Sequence, residues 1–259
     1  MSHILTQQQI QSFITDGFIR IDNAFPEALA TEARAVLWND IPAAPDDPAT
    51  WTQPVVRLGM YSHEPFIKAA NTPVLHQAFD QLAGPGRWMP CMSMGTFPVR
   101  FPSANDPGDT GWHVDAGFPG TDPSDYFGWR INIRSKGRAL LMLFLFSDVT
   151  EADAPTKLLK GSHRDIARKL ASQDENGLSF MELATQLPSL SHCQEIVATG
   201  KAGTVYLCHP FMVHGAQAHH GSEPRFLAQP PLLLRHELNI EGSGPFTPVE
   251  ESIRAALLS

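Results

Sequence analysis

The chain has 259 residues, 42% of them hydrophobic, and a formal net charge of −8. That length supports one large or two small domains with a sizeable core, and the acidic balance excludes a nucleic-acid binder, which needs a basic face. Three scattered cysteines, Cys91, Cys193 and Cys208, fit a reducing compartment rather than a disulfide scaffold.

The N-terminus lacks the basic start and continuous apolar run of a signal peptide. Thr6 followed by Gln9 reads as a capping box, and Ile10, Phe13 and Ile14 recur at helical spacing up to Gly17, which suits a helix end. FIRID, at 18–22, alternates like a short strand. A second helix follows, with Leu29, Ala33, Val36 and Leu37 on one stripe. PAAPDDP, at 42–48, is a rigid connector, and further helices are expected over 65–70 and 73–82. From Met92 the pattern changes to strands. MSMGTFPVRF holds a proline that suggests an edge or bulge. WRINIRS, at 129–135, alternates Ile131 and Ile133 against Arg130, Asn132 and Arg134. ALLMLFLFSDV is apolar enough for a fully buried strand, and its run over 139–146 is too short to cross a bilayer. Ser162 is positioned to cap a helix over 163–171, and another is expected over 180–187. QEIVAT, TVYLCH and RFLAQPPLLLRHEL complete the strands. The expectation is a single cytoplasmic domain over 1–259, mainly β with flanking helices (α+β): residues 1–90 mostly helical, then a jelly-roll core over 91–240 with a helical insertion near 162–188.

GWHVDAGFPG, at 111–120, carries the chemistry. In an extended chain residues i and i+2 share a face, so His113 and Asp115 converge; in a helix they diverge. Glycines and a proline around them disfavour a helix. A facial triad of two histidines and one carboxylate, as in non-haem Fe(II) oxygenases, needs one more histidine. Of the seven downstream, His214 in CHPFMVHGAQ is favoured, where the chain re-enters a strand; His209 is the alternative, as a packing or supporting histidine. Arg225 heads an apolar strand and needs an anionic partner, and its planar fork suits a carboxylate.

GWHVD, together with GTVYLCHPFMVHGAQ and EPRFLAQPP, resembles the phytanoyl-CoA dioxygenase family of Fe(II)/2-oxoglutarate-dependent oxygenases. LFLFSDVTEADAPTKLLKGSH and the opening FITDGFIRIDNAF are similar to the same family, so the resemblance runs over about 6–236. It implies a double-stranded β-helix, with Fe(II) held by His113, Asp115 and His214. It also implies 2-oxoglutarate anchored by Arg225, O2 as oxidant, and succinate and CO2 as products beside a hydroxylated small organic substrate. Two departures stand out: Lys160 replaces the usual proline before Gly-Ser-His, and no serine lies two residues after Arg225. Asp115 disfavours halogenation, for which related enzymes carry glycine or alanine. Arg100, Trp112, Phe118, Arg130 and Asn132 are candidates for the substrate or cosubstrate pocket, with ordinary packing or a solvated sheet face as the competing explanation. Two other functions fit the same residues: a non-catalytic jelly-roll binding protein that retains a metal site, or a zinc-dependent cupin-like hydrolase or isomerase. The second leaves Arg225 without a role. Partners are small molecules, with no nucleic acid or membrane expected, and nothing in the sequence sets the oligomeric state.

Overall fold

The computed structural model describes residues 4–258. Helix α1 (Gln7–Asp16) starts at the expected box, in which Thr6 and Gln9 cap each other reciprocally. It ends at Gly17, whose φ is +87°. A Cβ there would lie 2.4 Å from the His163 ring, so both the backbone conformation and the close approach call for glycine. Strand β1 (Phe18–Ile21), α2 (Glu27–Trp38), β2 (Val55–Leu58), α3 (Glu64–Ala70) and α4 (Pro73–Ala83) complete the helix-rich first third. Next come β3 (Trp88–Met89), β4 (Phe97–Arg100), β5 (Arg130–Ile131), β6 (Arg138–Leu145) and β7 (Lys157–Leu159). The insertion holds α5 (Ser162–Ala171), β8 (Leu178–Ser179) and α6 (Phe180–Thr185). The chain then runs through β9 (Glu195–Val197), β10 (Val205–Cys208), β11 (His214–Gly215), β12 (Leu227–Ala228), β13 (Pro231–Leu234) and α7 (Pro248–Leu258).

The larger sheet has the order β1-β10-β6-β13-β3, with β12 also paired to β6; the smaller has the order β11-β7-β9. The pairings are antiparallel. Every residue of β6 is buried, as its unbroken apolarity predicts. Its two faces serve two cores. Leu140, Met142 and Phe144 join the large cluster that includes residues of α1 to α5 and α7. Leu141, Leu143 and Leu145 join a second cluster with Leu158 of β7 and Tyr206 and Cys208 of β10, which is the space between the two sheets. This two-sheet architecture with helices outside it is the double-stranded β-helix expected from the sequence.

Three segments differ from expectation. Only Arg130 and Ile131 of 129–135 form strand. Asn132 then starts a turn: its carbonyl accepts from Ser135 N–H and its side chain from Lys136 N–H. The stretch 225–238 is two strands, β12 and β13, divided at Gln229-Pro230. Helix α7 was not expected. Thr247, Pro248 and Glu250 form its start, with the buried Glu250 carboxylate accepting from Thr247 N–H and pairing with Arg87 at 2.6 Å.

Candidate metal centre

His214 opens β11 and lies directly opposite Leu158 of β7. Directly opposed residues share a face, and Leu158 points between the sheets, so His214 does too. His113 forms an antiparallel bridge with His214, exchanging both backbone hydrogen bonds at 2.9 Å. It therefore stands beside His214 on that face, and Asp115, two residues on, returns to it. The three side chains converge: Asp115 Oδ1 is 3.7 Å from His113 Nε2 and 3.6 Å from His214 Nε2. One donor atom from each lies within 4.8 Å of the others.

The histidine tautomers suit a metal. His113 Nδ1 is 3.0 Å from the Gly111 carbonyl, and His214 Nδ1 is 3.0 Å from that of Met212. Each Nδ1 must carry the proton to donate, which leaves the Nε2 lone pairs facing Asp115. Burial, and then the neighbouring His214, push His113 below its usual pKa and favour the neutral ligand form. Burial alone would raise the Asp115 carboxyl, but the Arg138 guanidinium holds it well below the usual carboxylate range. Arg138 Nη1 bonds Asp115 Oδ2 at 3.1 Å, and Nη2 donates to the Ala116 carbonyl at 3.0 Å. Oδ1 is thus left for the centre. Two neutral imidazoles and one fixed carboxylate form a donor set that fits Fe(II) in a facial arrangement.

His209, the alternative ligand, sits elsewhere. Its Nδ1 accepts from Phe211 N–H, its Nε2 donates to the Val249 carbonyl, and its ring packs 4.9 Å from His163. Both nitrogens are used by the backbone. Ser162 explains the Gly-Ser-His segment: its Oγ accepts from Val213 N–H at 3.0 Å, next to His214.

Arg225 and Arg100 also form an antiparallel bridge, so two buried guanidinium side chains lie side by side. Arg100 binds the Asp109 carboxylate through both oxygens at 2.8 Å. Arg225 donates only to the backbone carbonyls of Ala154 and Pro98, and its Nε has no hydrogen-bond partner among the described residues. Burial, and then Arg100, push its pKa down to about 9, partly opposed by Asp109. Arg100 is already paired with Asp109, whereas the buried Arg225 has no carboxylate of its own among the described residues, an arrangement that calls for an anion.

The other pocket candidates make their contacts with residues outside the triad. Trp112 faces Lys157, whose Nζ sits 4.3 Å above its ring, on the side of the strands opposite Leu158 and His214. Arg130 donates to the backbone carbonyls of Asn176 and Gly177, and Asn132 to that of Glu175. Both brace the loop before β8, in place of the expected pocket lining around the triad. Phe118 bridges to Arg130, and both line a polar hollow with Lys136, Asp174 and Glu182.

Sequence reasoning missed Arg138, Tyr126 and Phe180. Arg138 had only a partial signal: a cation opening a run of eight apolar residues needs an anion, but the sequence does not say which. Phe180 packs 5.5 Å from His113. The Tyr126 hydroxyl lies against Asp115 and Ala116; burial, and then the Asp115 charge, push its pKa up.

The family profile of phytanoyl-CoA dioxygenase (PhyH) matches residues 13–227, most of the chain. The chain belongs to the phytanoyl-CoA dioxygenase family. Enzymes of this family use Fe(II), 2-oxoglutarate and O2. No curated protein sequence matches the chain. Solved structures share its fold. The non-haem α-ketoglutarate-dependent carbocyclase SnoK from nogalamycin biosynthesis aligns over 90% of this chain and 86% of its own, with TM-score 0.56 and 17% identity. The epimerase SnoN, in complex with Fe3+, α-ketoglutarate and nogalamycin RO, aligns over 86% and 81%, with TM-score 0.54 and 16% identity. HygX from Streptomyces hygroscopicus, with iron bound, aligns over 87% and 85%, with TM-score 0.51 and 18% identity. No helix among the described residues is long and apolar enough to cross a membrane.

Proposed function

We propose that this chain is an Fe(II)- and 2-oxoglutarate-dependent dioxygenase that hydroxylates a small organic substrate, with 2-oxoglutarate oxidised to succinate and CO2. The observation that carries this reading is the convergence of His113 Nε2, Asp115 Oδ1 and His214 Nε2, with both Nδ1 atoms tied to backbone carbonyls. His113, Asp115 and His214 would hold the iron, which when bound supplies the oxidising chemistry that the chain's own side chains lack. Arg138 keeps Asp115 ionised and directs one carboxylate oxygen to the centre. Arg225 supplies the charge that holds the remote carboxylate of the cosubstrate, and Arg100 adds to the same positive field. Buried neighbours on both sides of His214 limit water at the centre.

The zinc-hydrolase reading has no use for a buried Arg225 without a carboxylate partner, so the oxygenase reading is preferred. The test is succinate formation from 2-oxoglutarate with Fe(II), ascorbate and O2. Slow uncoupled turnover is expected, and it should vanish in His113→Ala. If neither turnover nor iron binding is detected, the proposal fails.

A further inference from the structure

The proposed reaction leaves one feature next to the centre without a role. The Phe180 ring packs 5.5 Å from His113, and Tyr126 and Phe127 pack on that same ring at 5.5 Å and 5.9 Å. The local structure fixes this platform. Phe180 N–H donates to the Trp129 carbonyl at 2.7 Å, and a Ser179–Glu182 capping box starts α6. Yet the platform is open to solvent: Phe127 is 60% exposed and Tyr126 42%. Scattered exposed apolar residues are ordinary, but exposed aromatic rings gathered on a ring that packs against the centre form a binding surface.

The charge carried by this surface's own segments is one-sided, with Arg130, Lys136 and Lys169 at its border. The two segments that build it, 120–129 and 178–187, contain no lysine or arginine but carry Asp122, Asp125 and Glu182. The nearby Arg130 is committed to the carbonyls of Asn176 and Gly177 and lies 3.6 Å from Glu182. Lys136 sits 5.1 Å above the Phe118 ring. A phosphate-bearing or carboxylate-bearing substrate body would find no free cation on these segments, whereas flat apolar groups stack well on aromatic faces and a positive group is favoured there.

We infer that Phe180, Phe127 and Tyr126 form the substrate platform, and that the substrate is a flat, apolar, neutral or cationic ring system rather than an anionic acyl thioester. This rests on the oxygenase reading only in that the occupant is the molecule to be oxidised. The occupant belongs to the centre because the stack of rings begins on His113 itself.

The test uses matched fluorescent probes, aminoanthracene and anthracene carboxylate, with octanoyl-CoA as competitor. Each is titrated into the full-length protein, both metal-free and loaded anaerobically with Fe(II) and 2-oxoglutarate. Aminoanthracene should bind, anthracene carboxylate should bind at least about tenfold more weakly, and octanoyl-CoA should not displace the first probe. Phe127→Ala, at an exposed position, should weaken aminoanthracene binding about fivefold or more. Met92→Ala, an exposed methionine outside the platform, should leave it unchanged. Equal binding of the two probes, or no effect of Phe127→Ala, overturns the inference. So does self-association of the wild type that Phe127→Ala abolishes, because the surface would then belong to a second copy. Failure to load Fe(II) and 2-oxoglutarate, with probe binding still dependent on Phe127, overturns the oxygenase reading instead.

Discussion

The histidines of this chain divide by what their ring nitrogens touch. His113 and His214 each give Nδ1 to a backbone carbonyl and turn Nε2 toward Asp115, whereas His209 has both nitrogens taken by the backbone. The His113–Asp115 pair was legible because extended chain makes i and i+2 neighbours on one face. His214 was legible as the histidine re-entering a strand. Arg138 was not, because its partner is 23 residues away in sequence and only the fold brings them together. Removing that guanidinium leaves a largely enclosed carboxylate, 16% exposed, without its main compensation. Arg138→Ala should therefore weaken iron binding about ten- to a hundredfold, read by metal competition, with Arg138→Lys recovering part of the loss. Arg225→Ala should act differently: 2-oxoglutarate affinity should fall at least about tenfold while iron affinity holds, as measured by calorimetry on the metal-loaded protein. An unchanged 2-oxoglutarate affinity would remove Arg225 from the site.

Each element holds the centre through a specific contact. β6 was legible as a buried strand from its unbroken apolarity and short length, although it runs over Arg138–Leu145 rather than through the whole of ALLMLFLFSDV. The strand expected over 129–135 was not, because Asn132 uses its side chain to close a turn that alternation alone does not reveal. The start of α7 was present in Thr247-Pro248 and Glu250, but a helix after the last strand had no place in the expected plan. That helix gives His209 its carbonyl partner at Val249 and Arg87 its carboxylate at Glu250. Glu250→Ala should destabilise the fold by about 3 kcal/mol or more in denaturant unfolding, since Glu250 is buried and Arg87 partly so. Within the insertion, Ser162→Ala leaves Val213 N–H without its acceptor, at a cost of about 1–3 kcal/mol. Amide exchange at 212–215 should quicken in that variant, while exchange in β1 should not.

At the scale of the molecule, the two-sheet architecture was legible from strand periodicity and from the family resemblance together, since periodicity alone does not give sheet order. The buried pair His163 and His209 sets a pH limit on it. Burial pushes His163 down to about 4, and burial with the neighbouring His163 pushes His209 well below 6.5. The folded state therefore binds fewer protons than the unfolded state as pH falls below about 6.5. The stability these neutral rings contribute is complete above that pH and declines as pH falls below it, for His163 down to about pH 4 at about 1.4 kcal/mol per unit. Urea unfolding between pH 7.5 and 5 should show this fall, and His163→Gln should flatten it. The central claim, that His113, Asp115 and His214 hold an iron which 2-oxoglutarate then joins, is tested most directly by anaerobic visible absorbance. Fe(II) and then 2-oxoglutarate are added to the wild type, His214→Ala and His209→Gln. The account predicts a charge-transfer band in the wild type and in His209→Gln, and none in His214→Ala; a band that survives in His214→Ala, or is absent from the wild type, would contradict it.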